Sequence, residues 1–259
     1  MAMTLEEVHA LARKRGTSKL IYGIARVLLF PIAKLWYRLS VTGAENVPEE
    51  GAAIIAPNHK SMYDPFMIGL ATRRHLHFMA KAELFKGPGA RLLCGLGAFP
   101  VERGTADPEA LETSRIHLEN GRVLALFPEG TRVRDPDALR APRRGAGRLS
   151  LETGAPIVPC AITGTERLRL WKPVKVRVSF APPIQPVQLE ATPEAAADLI
   201  ANQVWPEVER EFRRLRSRPG VIAAILAALG AGAAGGGLAY RQQRKPKTRV
   251  QKIKKRLKR

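Results

Sequence analysis

Between Ser40 and Ile184, six short apolar runs alternate with stretches of helical character: Ala53–Ala56, Leu76–Ala80, Ala98–Val101, Val123–Phe127, Ile157–Ile162 and Val174–Phe180. The helical stretches fall near Phe66–Arg74, Glu83–Leu96, Pro108–Asn120 and Gly145–Glu152. Apolar runs this short read as buried strands, and strands separated by helices pair most readily in parallel through crossovers. The alternation predicts an α/β domain with a largely parallel sheet flanked by helices. Thr192–Arg216 follows as a long charged helix, expected to kink at Pro206. With 259 residues, 45% of them apolar, the chain can bury a good-sized core and is not a disordered polymer.

The two ends of the chain have a different character. Leu20–Leu39 is strongly apolar, but Arg26, Pro31 and Lys34 fall where a membrane-spanning helix would have to be dry. With Tyr22, Trp36 and Tyr37 among Leu and Ile, it reads as one or two bent helices lying in a membrane interface. The alternative is a helix packed on the protein's own core. Val221–Tyr240 carries no charge, yet Ala and Gly dominate it, so it reads as a membrane-associated or re-entrant helix rather than a true span. Lys and Arg number 43 against 23 Asp and Glu, and eleven of those cations lie in Arg241–Arg259, which contains no acid. Such a tail cannot bury a core, and its expected partner is anionic membrane lipid. Without interleaved aromatics, no specific nucleic-acid binding is expected. The resulting division is 1–39 as a membrane-facing helical motif, 40–218 as the catalytic domain, 219–240 as the apolar helix and 241–259 as a disordered basic tail.

Cys94 and Cys160 are too few for a disulfide framework, lack the spacing of a thiolate metal site, and read as buried thiols in a reducing compartment. The N-terminus lacks the uninterrupted apolar stretch of a secretory signal, which places the catalytic part in the cytoplasm. No metal or bound redox cofactor is indicated.

Chemistry concentrates in three motifs. Asn58-His59-Lys60-Ser61-Met62-Tyr63-Asp64-Pro65 follows a strand. On a continuous helix His59 and Asp64 would stand about 140° apart, so they meet only if the chain turns between them. Pro65 favours that turn, and Asp64 is also expected to cap the helix that follows. A His held by a carboxylate is a general base: Asp fixes the tautomer and the other ring nitrogen removes a proton. No Ser or Cys nucleophile is needed if the substrate brings its own hydroxyl. Gly97-Ala98-Phe99-Pro100-Val101-Glu102-Arg103-Gly104 and Phe127-Pro128-Glu129-Gly130-Thr131-Arg132 each set Arg beside Gly, where backbone and guanidinium can both approach an anion. The first and third motifs sit at carboxyl ends of strands, where open sheets bind ligands. His9, His75, His77 and His117 lack a comparable carboxylate and read as surface or packing residues.

Taken in order, NHKSMYD, GAFPVERG, FPEGTR and APIVPC resemble the four motif blocks of the 1-acylglycerol-3-phosphate acyltransferase family. The resemblance runs from about Val41 to Phe180. It implies a glycerophosphate acyltransferase-type fold with a mixed, largely parallel sheet, N-terminal interfacial helices, and a C-terminal apolar helix and basic tail appended to it. It further implies transfer of a fatty acyl group from a thioester, acyl-CoA or acyl carrier protein, to a lysophospholipid acceptor, with no cofactor bound. His59 and Asp64 match the family's HxxxxD pair, with His59 as base. Gly97, Phe99 and Arg103 match the second block, Glu129, Gly130 and Arg132 the third, and Pro156 and Pro159 the fourth. Arg103 and Arg132 are expected to hold the acceptor phosphate, and Glu129 to bind the acceptor or orient Arg132. Lys81 is a further candidate for the phosphate, and the backbone at Gly130 and Thr131 for the oxyanion. Glycerol 3-phosphate or another lysophospholipid remains open as acceptor, as does a non-catalytic membrane-tethered binding protein. The expected location is the cytoplasmic face of a membrane, peripheral or held by one C-terminal helix.

Overall fold

The computed structural model describes residues 3–102, 107–168, 172–186 and 190–217. Val221–Tyr240 and the basic tail, for which membrane roles were expected, lie outside the described residues, and so does Arg103. Among the described residues seven strands form one sheet: β1 (Ser40–Thr42), β2 (Ala53–Pro57), β3 (Leu76–Lys81), β4 (Ala98–Val101), β5 (Val123–Ala125), β6 (Ile157–Thr163) and β7 (Arg177–Phe180). Their order is β1-β7-β6-β2-β5-β3-β4, and every pairing is parallel except β6 with β7. The central strand β2 is buried along its whole length. Its side chains alternate between the sheet faces, with Ala53 and Ile55 in one core and Ile54 and Ala56 in the other. Helix α3 (Asp64–Ala71) and α4 (Ala90–Gly95) supply the first core. The second is supplied by α5 (Pro108–Glu119), α6 (Gly145–Thr153) and α8 (Trp205–Arg216).

Several expected boundaries shift for local reasons. The helix expected over Glu83–Leu96 is interrupted by Gly87-Pro88-Gly89, leaving a 3₁₀ turn at Ala82–Phe85 before α4. The helix expected over Thr192–Arg216 is three pieces: α7 (Pro193–Asp198), a π-helical turn at Leu199–Val204, and α8. The wide turn falls just ahead of Pro206, which stands in the first turn of α8. The strand expected from Val123 to Phe127 stops at Ala125, and that expected from Val174 begins at Arg177. The edge strand β1 has no apolar run to announce it.

At the N-terminus lie α1 (Leu5–Arg15) and α2 (Lys19–Pro31), the latter running into a π-helical turn at Ile32–Trp36. Thr4 and Glu7 form a capping box that starts α1. Its far end is held by Arg122, whose guanidinium donates to the Arg13 carbonyl at 3.0 Å and the Ala12 carbonyl at 3.4 Å. Beneath it His77 stacks on His117 with ring centroids 4.2 Å apart. His9, His77 and His117 are buried packing residues, and His75 is half-buried against Tyr22. Helix α2 presents a run of exposed apolar side chains, and no helix among the described residues is long and apolar enough to cross a membrane. Cys94 and Cys160 are both free and buried.

Candidate active site

Strand β2 delivers the chain into the loop 58–63, which Asn58 fixes first. Its amide group donates to the Ile162 carbonyl at 3.0 Å and its oxygen accepts from the Ile162 N–H at 2.8 Å, pinning the loop to β6. His59 follows, its Nδ1 2.8 Å from Asp64 Oδ2. The same oxygen accepts the amides of Lys60 at 2.6 Å and Ser61 at 2.8 Å. The chain turns between His59 and Asp64 as their pairing requires. Asp64, however, is the first residue of α3 and its carboxylate reaches back into the loop, so the cap expected of it toward the helix is not made. Because Asp64 Oδ2 accepts both amides, His59 Nδ1 is the donor in their contact, which leaves the lone pair on Nε2. The imidazole lies against Phe127, with ring centroids 4.1 Å apart. Asp64 is fully buried and His59 is 6% exposed, so the imidazole has a dry support and a narrow opening.

Strand β5 delivers the second loop, beginning at Leu126. Glu129 lies in this loop. It is fully buried, and its two oxygens accept main-chain amides, His59 at 3.1 Å and Arg140 at 3.3 Å. It ties the His59 loop to the loop that follows β5. Burial raises its pKa above the ordinary glutamate value, opposed by the His59 and Arg140 amides and the nearby Lys60 charge. A second tie joins the Val133 amide to the His59 carbonyl at 2.8 Å. Gly130 and Arg132 are exposed, Thr131 is half-buried, and Arg132 has no side-chain partner among the described residues.

Lys60 is a residue that sequence reasoning missed, although it stands inside the first motif. Its ammonium is buried, donates to the carbonyls of Asp135 (2.8 Å) and Ala138, and lies 4.9 Å from the centre of the Phe212 ring. Desolvation lowers its pKa, partly offset by Glu129, Glu166 and Asp135. Lys81 is exposed at the end of β3 and pairs with Glu83 at 3.6 Å, so its charge already has a neighbour. In the second motif Gly97 adopts φ 91°, and a Cβ there would stand 2.1 Å from the Leu76 carbonyl oxygen. Only glycine lets this turn lie against β3, while Phe99 fills the core. Pro156 immediately precedes β6 and Pro159 lies within it, their carbonyls accepting from Ile54 and Ala181 at 2.9 Å. Immediately beyond Asp64 a shallow apolar groove runs between α2 and α3, lined by Tyr22, Leu29, Pro65, Phe66, Leu70 and Phe78.

The acyltransferase family model matches residues 38–163, which contain the His59 and Glu129 loops and the strands that carry them. The chain is 29% identical over 184 residues to the 1-acyl-sn-glycerol-3-phosphate acyltransferase of Bacillus subtilis, covering 68% of this chain and 91% of that protein. Residues 38–163 of the chain carry an acyltransferase-family domain. A 1-acyl-sn-glycerol-3-phosphate acyltransferase of Borreliella burgdorferi is 31% identical over 131 residues, covering 49% of this acyltransferase and 52% of the relative, about half its length. Among solved structures, the 1-acyl-sn-glycerophosphate (LPA) acyltransferase PlsC of Thermotoga maritima superposes with a TM-score of 0.57 at 25% identity, covering 83% of this chain and 80% of that one. The acyltransferase fold here is thus an α/β sheet, mostly parallel and flanked by helices, as the alternating sequence pattern predicts.

Proposed function

We propose that this acyltransferase moves a fatty acyl group from a thioester, on CoA or acyl carrier protein, to the free hydroxyl of 1-acylglycerol 3-phosphate, giving phosphatidic acid. The observation that carries this reading is the 2.8 Å contact of His59 Nδ1 with an Asp64 oxygen already bonded by two amides. His59 Nε2 takes the hydroxyl proton as the acceptor oxygen attacks the thioester carbonyl. The C–S bond then breaks, and the departing sulfur takes the proton back from the imidazolium. Asp64 stabilises the charged ring during the interval. Arg132, with Arg103, binds the acceptor phosphate, and the groove beginning at Pro65 and Phe66 receives acyl chain. The related Bacillus and Borreliella proteins carry the name of this activity, which supports the choice of acceptor.

The reaction is placed at a membrane surface, on the cytoplasmic face. Exposed Leu20, Val27, Leu28, Leu35 and Trp36 support that placement, with Lys19 and Lys34 within reach of headgroups. Residues 219–240 and the basic tail then add a second attachment to anionic lipid. The test is release of thiol from acyl-CoA with a panel of acceptors. Parent protein should prefer 1-acylglycerol 3-phosphate over glycerol 3-phosphate and over lysolipids with other headgroups, and His59→Ala should lower turnover by at least about 10²-fold while the protein stays folded. Turnover by His59→Ala close to the parent value would remove His59 from the chemistry.

A further inference from the structure

We propose that Arg143 is an additional binding residue for the phosphate of the acceptor. The inference rests on the acceptor reading above and extends it to a residue outside the four motif blocks. Arg143 is eleven residues beyond Arg132, yet its main-chain N–H donates to the Pro128 carbonyl at 2.8 Å, which returns it to the start of the Phe127–Arg132 turn. Its guanidinium lies across Gly130. A Cβ at Gly130 would stand 2.9 Å from Arg143 Nε and 3.0 Å from its Cδ and Cζ, so the cation occupies the space that glycine leaves. Gly130 also adopts φ 67°, a second reason for glycine at this point.

The turn under Arg143 is the one joined to the base. Glu129 holds the His59 amide at 3.1 Å, and Val133 donates to the His59 carbonyl at 2.8 Å. Arg143 is exposed and has no carboxylate or other side-chain partner among the described residues. Two arginines on neighbouring surfaces are balanced by contrast: Arg148 pairs with Glu152 and Arg213 with Glu209, each at 2.6 Å. An unbalanced guanidinium laid on the turn beside the base suits a dianion bonded to the same glycerol as the reacting hydroxyl. Its planar fork can meet two phosphate oxygens at once.

The experiment measures KM for 1-acylglycerol 3-phosphate and for the corresponding monoacylglycerol, at saturating acyl-CoA, in parent, Arg143→Ala, Arg143→Lys and Arg148→Ala. Arg143→Ala should raise KM for the phosphorylated acceptor about tenfold or more with kcat little changed, and remove most of the preference for phosphate. Arg143→Lys should fall between, because it keeps charge but not the fork. Arg148→Ala, which loses an equal charge from α6, should match the parent. If Arg143→Ala does not fold, Arg143→Lys decides alone by a raised or unchanged KM. An unchanged KM and preference overturn the proposal. A parent enzyme with no preference for the phosphorylated acceptor instead overturns the acceptor reading itself.

Discussion

Three donors converge on one oxygen of Asp64: the amides of Lys60 and Ser61 and the imidazole of His59. Asn at this position can still accept from the amides, but it offers no charge to an imidazolium and can present its own N–H to the ring. Asp64→Asn should therefore keep the loop folded while turnover falls by about 10² to 10⁴. Steady-state kinetics beside a thermal melt would check it; parent-like turnover would show that the carboxylate only shapes the loop. The His59–Asp64 relationship is legible in the sequence because both partners lie within one turn and Pro65 marks where the chain bends. Glu129, Lys60 and Arg143 are not. Glu129 meets its amide partner 70 residues away and Lys60 meets its carbonyl partners 75 and 78 residues away. Nothing local in FPEGTR states whether its carboxylate faces a ligand or the interior, and burial decides that Glu129 turns inward.

The docking of α1 onto α5 and β4 depends on nearby histidines that must stay neutral. His117 Nδ1 accepts from Arg122 at 3.0 Å, and that arginine in turn caps the last carbonyls of α1. Burial depresses the pKa of His77 to about 4 and that of His117 to about 2, with Arg122 lowering both further and His75 and Arg74 adding to the effect at His77. Both folded values lie below the unfolded value near 6.5, so in this window the unfolded chain binds more protons and stability rises with pH. The contribution is complete above about pH 6.5 and is lost on acidification toward the folded values, by about 1.4 kcal/mol per pH unit for each such histidine. Urea unfolding at pH 7.5, 6 and 5 should show a shallower pH slope for His117→Asn than for the parent. Equal slopes would mean that His117 does not hold this linkage. The elements themselves were largely readable from sequence, because strands buried on both faces appear as unbroken apolar runs. β1 escaped because an edge strand of Ser-Val-Thr has only one apolar residue. The break at Gly87-Pro88-Gly89 was written in the chain and overridden by the apolar pattern around it. The π-helical turn before Pro206 carries no comparable mark.

At the scale of the whole molecule, two features suit the proposed membrane surface: the exposed apolar side chains of α2 and the turn after it, and the concentration of positive charge. Leu20, Val27, Leu28 and Leu35 are each more than 60% exposed, an arrangement that burial against the protein's own core would have avoided. Eleven of the 43 Lys and Arg lie in Arg241–Arg259. The two features respond differently to salt. Apolar insertion is insensitive to moderate ionic strength, whereas the attraction of a basic segment to anionic lipid, about 1 kcal/mol per residue at the surface, weakens as the Debye length shortens. Sedimentation with vesicles of mixed neutral and anionic lipid at low and high salt should separate them. Val27→Asp/Leu35→Asp should weaken binding at both salt concentrations without lowering the melting temperature appreciably, since neither side chain is buried. Deletion of Arg241–Arg259 should weaken binding at low salt and make little difference at high salt. Parent-like binding by the double variant would return α2 to the status of a helix with an unexplained apolar face, and a deletion effect equal at both salts would mean that the tail acts by something other than charge.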